Sequence, residues 1–455
     1  MRRVTKPFEL TVAEAASEIR DRRLSALELM ESLLARSAAL EPSLRVWVTL
    51  DEEAAIASAR RSDEDLHRDG PAGPLHGVPF GVKDIFNTHD MKTTSGSPIH
   101  ADFQPDFDST AVALLRRAGA IVMGKTVTTE FACADPSPTR NPWNPGHTPG
   151  GSSSGSAVGV AARMFPAALG SQTGGSVLRP ASYNGVVGMK PTFGRISRYG
   201  VTPVSWSLDT IGFFCRTVQD AALMLSCLAK HDSNDPVSVP TGAFDFAQVL
   251  ADGPSAPRIA MPRRFFYEKA DADVRSRTDA VVEKLSASGA AIEEITLEAD
   301  YDALLAAHRV VMSVEGAAVH QRQFGARAGD YAPKVRGMIE AGMLTPAVSY
   351  VQAQRIRQTF RREISKTMQG FDAVLSPTTP APAPMDLTTT GNPVFQVPWT
   401  SCGFPAITLP CGPGDSELPL GIQLASAPLQ ELGLLKTALW CEGVLGVKAL
   451  PELPN

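Results

Sequence analysis

Two segments dense in glycine and hydroxyl side chains constrain this chain most: residues 148–157, TPGGSSSGSA, and residues 169–181, LGSQTGGSVLRPA. Glycine at this density permits positive φ and close backbone approach. Such stretches ordinarily read as flexible linkers. Here the apolar runs AVGVAARMFPAAL and VVGMKPTFG sit directly against them, so packed loops are expected. Successive N–H groups in a packed glycine loop can converge on an anion. A serine directly after Thr173-Gly174-Gly175, namely Ser176, stands where those amides would hold the oxyanion formed by its own attack.

A serine nucleophile needs a base. The nucleophile-elbow pattern G-x-S-x-G occurs at residues 151–155, which raises the α/β-hydrolase arrangement with a later Asp and His. His231, His308 and His320 follow, but in helix-like or turn context with no catalytic setting. They read as surface or satisfied core histidines. Lysine is the remaining candidate. Lys83 lies in the apolar segment GVPFGVKDIF, and lysine is rarely buried without a partner or a purpose. Burial lowers its pKa and makes it a base near neutral pH. Pairing with the adjacent Asp84 is the competing reading, and at this point both stand. Residues 119–126, GAIVMGKT, match the P-loop pattern letter for letter. The residues between the glycines themselves read as a strand, however, and TVTTEFACADPSP offers no following helix, so nucleotide binding is set aside.

The rest of the chain bounds the answer. Of 455 residues, 43% are hydrophobic and 20% charged, with net charge −5, so a large core is available. No basic surface for nucleic acid is indicated. The start, MRRVTKPFEL, lacks an apolar signal region, and no stretch reaches the length of a spanning helix. The six cysteines form no CxxC pair, which disfavours zinc and thioredoxin chemistry and fits free buried thiols in a reducing cytoplasmic setting. Thr11 with Glu14 and Ser25 with Glu28 are capping boxes, and the first 60 residues read as helices. AIVMG, RIAM, AIEEITL, DAVLSP, PAITLPCG and LPLGIQLAS read as strands. A helix is expected near residues 273–287, another from about 430, and helical polar chain near 340–370. RIAM–helix–AIEEITL is a β-α-β unit, which implies parallel pairing. The expectation is one large α/β domain over residues 1–455, a mixed β-sheet core covered on both faces by helices. The helical segment 1–65 would pack on a core at about 70–220.

With these residues assembled, the chain resembles the amidase-signature family. The resemblance rests on NPWNPGHTPGGSSSGSAVGVAA (141–162) and LGSQTGGSVLRPASYNGVVGMKPTFGRISRYG (169–200). HGVPFGVKD, GAIVMGKTVTTEF, DAVLSPTTP and GFPAITLPCG are similar to the family's other blocks, in its order. The resemblance implies Ser176 as nucleophile, Ser152 as proton relay after a cis peptide bond, and Lys83 as base. It implies an oxyanion hole of the amides of Thr173, Gly174, Gly175 and Ser176, with no metal or organic cofactor. The reaction implied is hydrolysis of a small carboxamide through an acyl-enzyme. A second function would use the same residues: the glutamine-amidase subunit of a tRNA-dependent amidotransferase complex. Three departures stand out: Ser154 replaces a glycine, Gln172 replaces an acid, and the arginine falls at Arg179, three residues after the nucleophile. With SWSLDTIG (205–212) they resemble the malonamidase-like branch. Arg179, Thr126 and Gln172 are the expected substrate-binding residues, Arg179 as a carboxylate clamp. Pocket walls are expected around Thr126 to Phe131, at Trp206, and from the 300–400 region with Phe395 and Trp399. The partner expected is a small-molecule amide, with no nucleic acid bound directly, no membrane, and a homodimer allowed for.

Overall fold

The computed structural model describes residues 6–240, 245, 253–297 and 299–453; the first five residues of the N-terminal segment read above lie outside them. Eleven strands form one sheet: β1 (Trp47–Leu50), β2 (Pro79–Lys83), β3 (Ile121–Thr126), β4 (Ala167–Gln172), β5 (Val187–Lys190), β6 (Thr210–Cys215), β7 (Arg258–Pro262), β8 (Ala291–Ile295), β9 (Ala373–Pro377), β10 (Ala406–Pro413) and β11 (Pro419–Ala425). Their order is β1-β3-β2-β4-β6-β5-β10-β11-β9-β7-β8. Parallel pairing joins β3, β2 and β4 at one flank and β9, β7 and β8 at the other. Antiparallel pairs link the two flanks through β6, β5, β10 and β11. The result is the expected single large α/β domain with a mixed sheet and helices.

Burial follows from that layering. β2, β3, β4, β5, β6, β9 and β11 are buried along their whole lengths, which is why their sequences read as continuous apolar runs rather than alternating ones. The edge strand β8 is mostly exposed. Both capping boxes form: Thr11 opens the helix Val12–Arg20 and Ser25 the helix Ala26–Leu44. Ser109 precedes the helix Thr110–Arg117, but its side chain makes no cap hydrogen bond. The N-terminal region is not wholly helical: Trp47–Leu50 is a strand, antiparallel to β3. Two further helices, Arg263–Lys269 and the long Tyr301–Arg327, were not marked out by the sequence reading. No helix among the described residues is long and apolar enough to cross a membrane, and all six cysteines are buried and free.

Candidate active site

Lys83 ends β2, between β3 and β4, with no exposed surface. Its Nζ lies 2.7 Å from Ser152 Oγ and 2.8 Å from Ser171 Oγ. It makes no ion pair with Asp84. That carboxylate faces Lys125 Nζ at 3.1 Å and accepts from the amide and hydroxyl of Thr94. Lys125, the lysine of the P-loop-like string, also donates to the Phe86 carbonyl and to Thr93 Oγ1. It is therefore a structural lysine inside β3, and it occupies the acid that would otherwise compensate Lys83. Burial lowers the Lys83 pKa to about 7, opposed by the Asp209 carboxylate.

The two glycine-serine loops close around this amine. The Gly151–Ser152 peptide is cis, and the Ser152 carbonyl accepts from the Thr129 amide at 3.2 Å. The helix Ser154–Ala161 starts directly afterwards. Ser153, the middle of the elbow-like string, is fully buried and bonds main-chain groups of Ser171, so it is no exposed nucleophile. Ser154, the glycine replacement, donates to the Gly150 carbonyl. The second loop leaves β4 at Gln172. Gln172 Oε1 accepts from the amides of Val177 and Leu178, both at 2.9 Å, and its Nε2 donates to Thr400 Oγ1. Thr400 in turn donates to the Gly174 carbonyl. Thr173 Oγ1 donates to Asp209 at 2.6 Å, and that carboxylate also accepts from the amides of Val204 and Ser205. The loop is pinned at both ends. Among the described residues no protein acceptor takes the amides of Gly174, Gly175 or Ser176. A Cβ on Gly175 would stand 2.6 Å from Gln396 Oε1, so a larger residue there would have to push that amide aside.

The expected substrate-binding residues are placed otherwise than the sequence suggested. Gln172 is spent on the loop. Thr126 is fully buried, its hydroxyl 2.7 Å from Ser156 Oγ. Arg179, in the helix Leu178–Asn184, donates to the Gly151 carbonyl at 2.7 Å, to the Gly391 carbonyl at 3.0 Å and to Thr390 Oγ1 at 3.1 Å. It clamps main chain around the Ser152 peptide. Phe395 and Trp399 are fully buried and pack against Phe266; they are core, not pocket wall. Trp206 is exposed. His308 bonds Ser401 and His320 bonds Tyr331, so neither is paired with Ser152, Ser153 or Ser176. Thr129 falls in the stretch expected as pocket wall, whereas neither Ser171 nor Asp209 was singled out by the sequence. Ser171 and Asp209 sit inside strings already quoted, but their roles depend on which strands become neighbours.

The chain matches the family model described as Amidase over residues 28–435. A glutamyl-tRNA(Gln) amidotransferase subunit from Geobacter metallireducens is 35% identical over 95% of this chain and 96% of that protein. The protein of the same name from Myxococcus xanthus is 34% identical over 94% and 96%. Among solved structures, a chain of a vestigial protein complex bearing on the origins of an s-triazine catabolic enzyme superposes with TM-score 0.90 at 29% identity, covering 97% of this chain and all of that one. The native peptide amidase from Stenotrophomonas maltophilia superposes with TM-score 0.85 at 29% identity, covering 98% of each chain. These curated relatives carry the name of an amidotransferase component rather than of the malonamidase-like branch. The chain therefore belongs to the amidase-signature family and is an enzyme that cleaves amide C–N bonds.

Proposed function

We propose that the chain hydrolyses a primary carboxamide through an acyl-enzyme on Ser176, with Ser152 as relay and Lys83 as base. The observation that carries this is the Lys83–Ser152 distance of 2.7 Å at a fully buried amine whose neighbouring acid is held by Lys125. The neutral amine accepts the Ser152 proton as Ser152 takes that of Ser176. Ser176 attacks the carbonyl carbon, and the oxyanion rests on the free amides of Gly174, Gly175 and Ser176, with Thr173 completing the set. The proton returns through Ser152 to the nitrogen, the C–N bond breaks, and ammonia leaves. Water repeats the sequence on the acyl-enzyme. A fluorophosphonate probe tests the assignment: it should label Ser176 in the wild type and leave Ser176→Ala unlabelled. Labelling at Ser152 or Ser153 would overturn it.

As to the amide and the setting, the relatives favour the glutamine-amidase subunit of a tRNA-dependent amidotransferase over a free-standing amidase, since the likeness spans both chains nearly end to end. On that reading glutamine is the amide, its ammonia passes to a partner subunit, and any contact with tRNA belongs to the partner. The check is purification from the native cell without a tag, followed by assays on glutamine and on simple aliphatic and aryl amides. Co-purifying subunits and hydrolysis favouring glutamine are expected. Hydrolysis of simple amides at full rate by the lone chain would return the free-standing amidase.

A further inference from the structure

A cavity opens beside the strand end that carries Lys83. This cavity, of about 250 Å³, has Ser171 and Asp209 at its inner end and the exposed rings of Tyr199 and Trp206 at its outer end. Neither Ser152 nor Ser176 lines it. Ser171 lines the cavity and keeps 6% of its surface exposed, while Lys83 keeps none and does not line it. Ser171 Oγ is 2.8 Å from Lys83 Nζ. Among the described residues no protein acceptor takes the Ser171 hydroxyl proton. The amine thus has one hydroxyl, Ser152, that relays to Ser176 on the reading above, and another, Ser171, at the inner end of a space with room for several waters.

We propose that this cavity and Ser171 form the proton outlet of Lys83. The inference rests on the hydrolase reading above. Its use appears whenever the product acid ionises inside the site. In acylation of an amide the proton borrowed from Ser176 leaves on the nitrogen. In deacylation water adds its oxygen to the acyl carbon, Ser176 Oγ recovers one proton, and the carboxylic acid released ionises. When that ionisation happens before the product leaves, the acid's proton passes to Lys83, the base at hand. An ammonium there cannot act as base for the next cycle. The amine passes its proton to Ser171 Oγ as the Ser171 hydroxyl gives its own to water in the cavity. The amine returns neutral, and a hydronium leaves past Tyr199 and Trp206.

The test compares the first-turnover burst of an activated ester with its steady-state turnover, in H2O and in D2O. The leaving phenolate of such an ester needs no proton, so Lys83 holds one after the first acylation and must lose it before the next step. Val201 lines the cavity and is not one of the reacting residues. Val201→Trp, which fills the passage, should keep the burst rate, lower turnover by about tenfold or more, and raise the solvent isotope effect on turnover. Ser171→Ala, which leaves the cavity open but removes the relay hydroxyl, should show the same split. Val201→Ala should behave as wild type. Equal loss of burst and turnover in both Val201→Trp and Ser171→Ala, or unchanged turnover in either, would overturn the outlet. A wild type that gives no burst and no labelled Ser176 would overturn the hydrolase reading and the outlet with it. A normal burst with unaffected variants removes the outlet alone.

Discussion

An amine buried at the end of a strand keeps its charge only if something compensates for the lost water. Lys83 has hydroxyls as partners and makes no ion pair with Asp84, so burial lowers its pKa to about 7 against the pull of Asp209. Protonated below that value and free above it, it should make kcat/KM rise with pH through about 7 and then level. A profile of the free enzyme checks this, and a rate already flat at pH 5 would remove Lys83 as base. Lys83→Ala should lose about 10² to 10⁴ in kcat from the base contribution alone with its circular dichroism unchanged. Arg179 carries a different expectation. Its guanidinium holds the Gly151 and Gly391 carbonyls, so Arg179→Ala should lower kcat/KM equally for a monoamide bearing a carboxylate and for its neutral analogue. A loss confined to the charged substrate would restore the clamp. Lys83, Ser152 and Ser176 could be named from the sequence because apolar context and the glycine blocks single them out. The use made of Arg179 could not, because the carbonyl of Gly391 is more than two hundred residues away.

At the scale of elements, the site depends on how closely the helix Ser154–Ala161 seats against its neighbours. A Cβ on Gly155 would stand 2.5 Å from the Val46 carbonyl oxygen and 2.6 Å from the Val127 nitrogen. Both are backbone and cannot yield cheaply. Gly155→Ala should therefore cost about 1–3 kcal/mol, read as a lower urea midpoint, and should weaken activity because Ser152 lies just ahead of that helix. An unchanged midpoint would mean that the loops re-seat freely. Gln172→Ala leaves the amides of Val177 and Leu178 without their acceptor, a loss of about 1–3 kcal/mol for unsatisfied buried groups. Loop disorder should lower kcat more than it raises KM, as steady-state kinetics would show. Helix starts at Thr11 and Ser25 were legible because capping is local chemistry. The strand Trp47–Leu50 was not: four residues carry little pattern, and it is a strand only because β3 pairs with it. Tyr301–Arg327 escaped notice because its apolar residues are spread among polar ones.

For the molecule as a whole, burying cations has a cost that pH reveals. Lys83 and Lys190 are both fully buried, and burial lowers each to about 7. In the unfolded chain each titrates near pKa ~10.4. Between these values the unfolded state binds more protons, so the contribution of each lysine to stability rises with pH across that window, by about 1.4 kcal/mol per pH unit. Below pH 7 both states are protonated and the contribution is flat. Lys190→Met should flatten the rise in urea-derived stability between pH 7.5 and pH 9 by about that slope and should stabilise the fold most at neutral pH. A variant with the wild-type slope would show that Lys190 stays charged when buried. Short-range pattern was enough for the α/β class, most strands and the helix caps, and it singled out the serines and the lysine to which the proposed chemistry is assigned. Only the tertiary structure decided that Asp84 serves Lys125 rather than Lys83, that Gln172 and Arg179 bind main chain, and that a cavity reaches Ser171. Each of these depends on which distant segments the eleven-stranded order brings together, and a competition among neighbours for one carboxylate or carbonyl is settled only when all the competitors are in place.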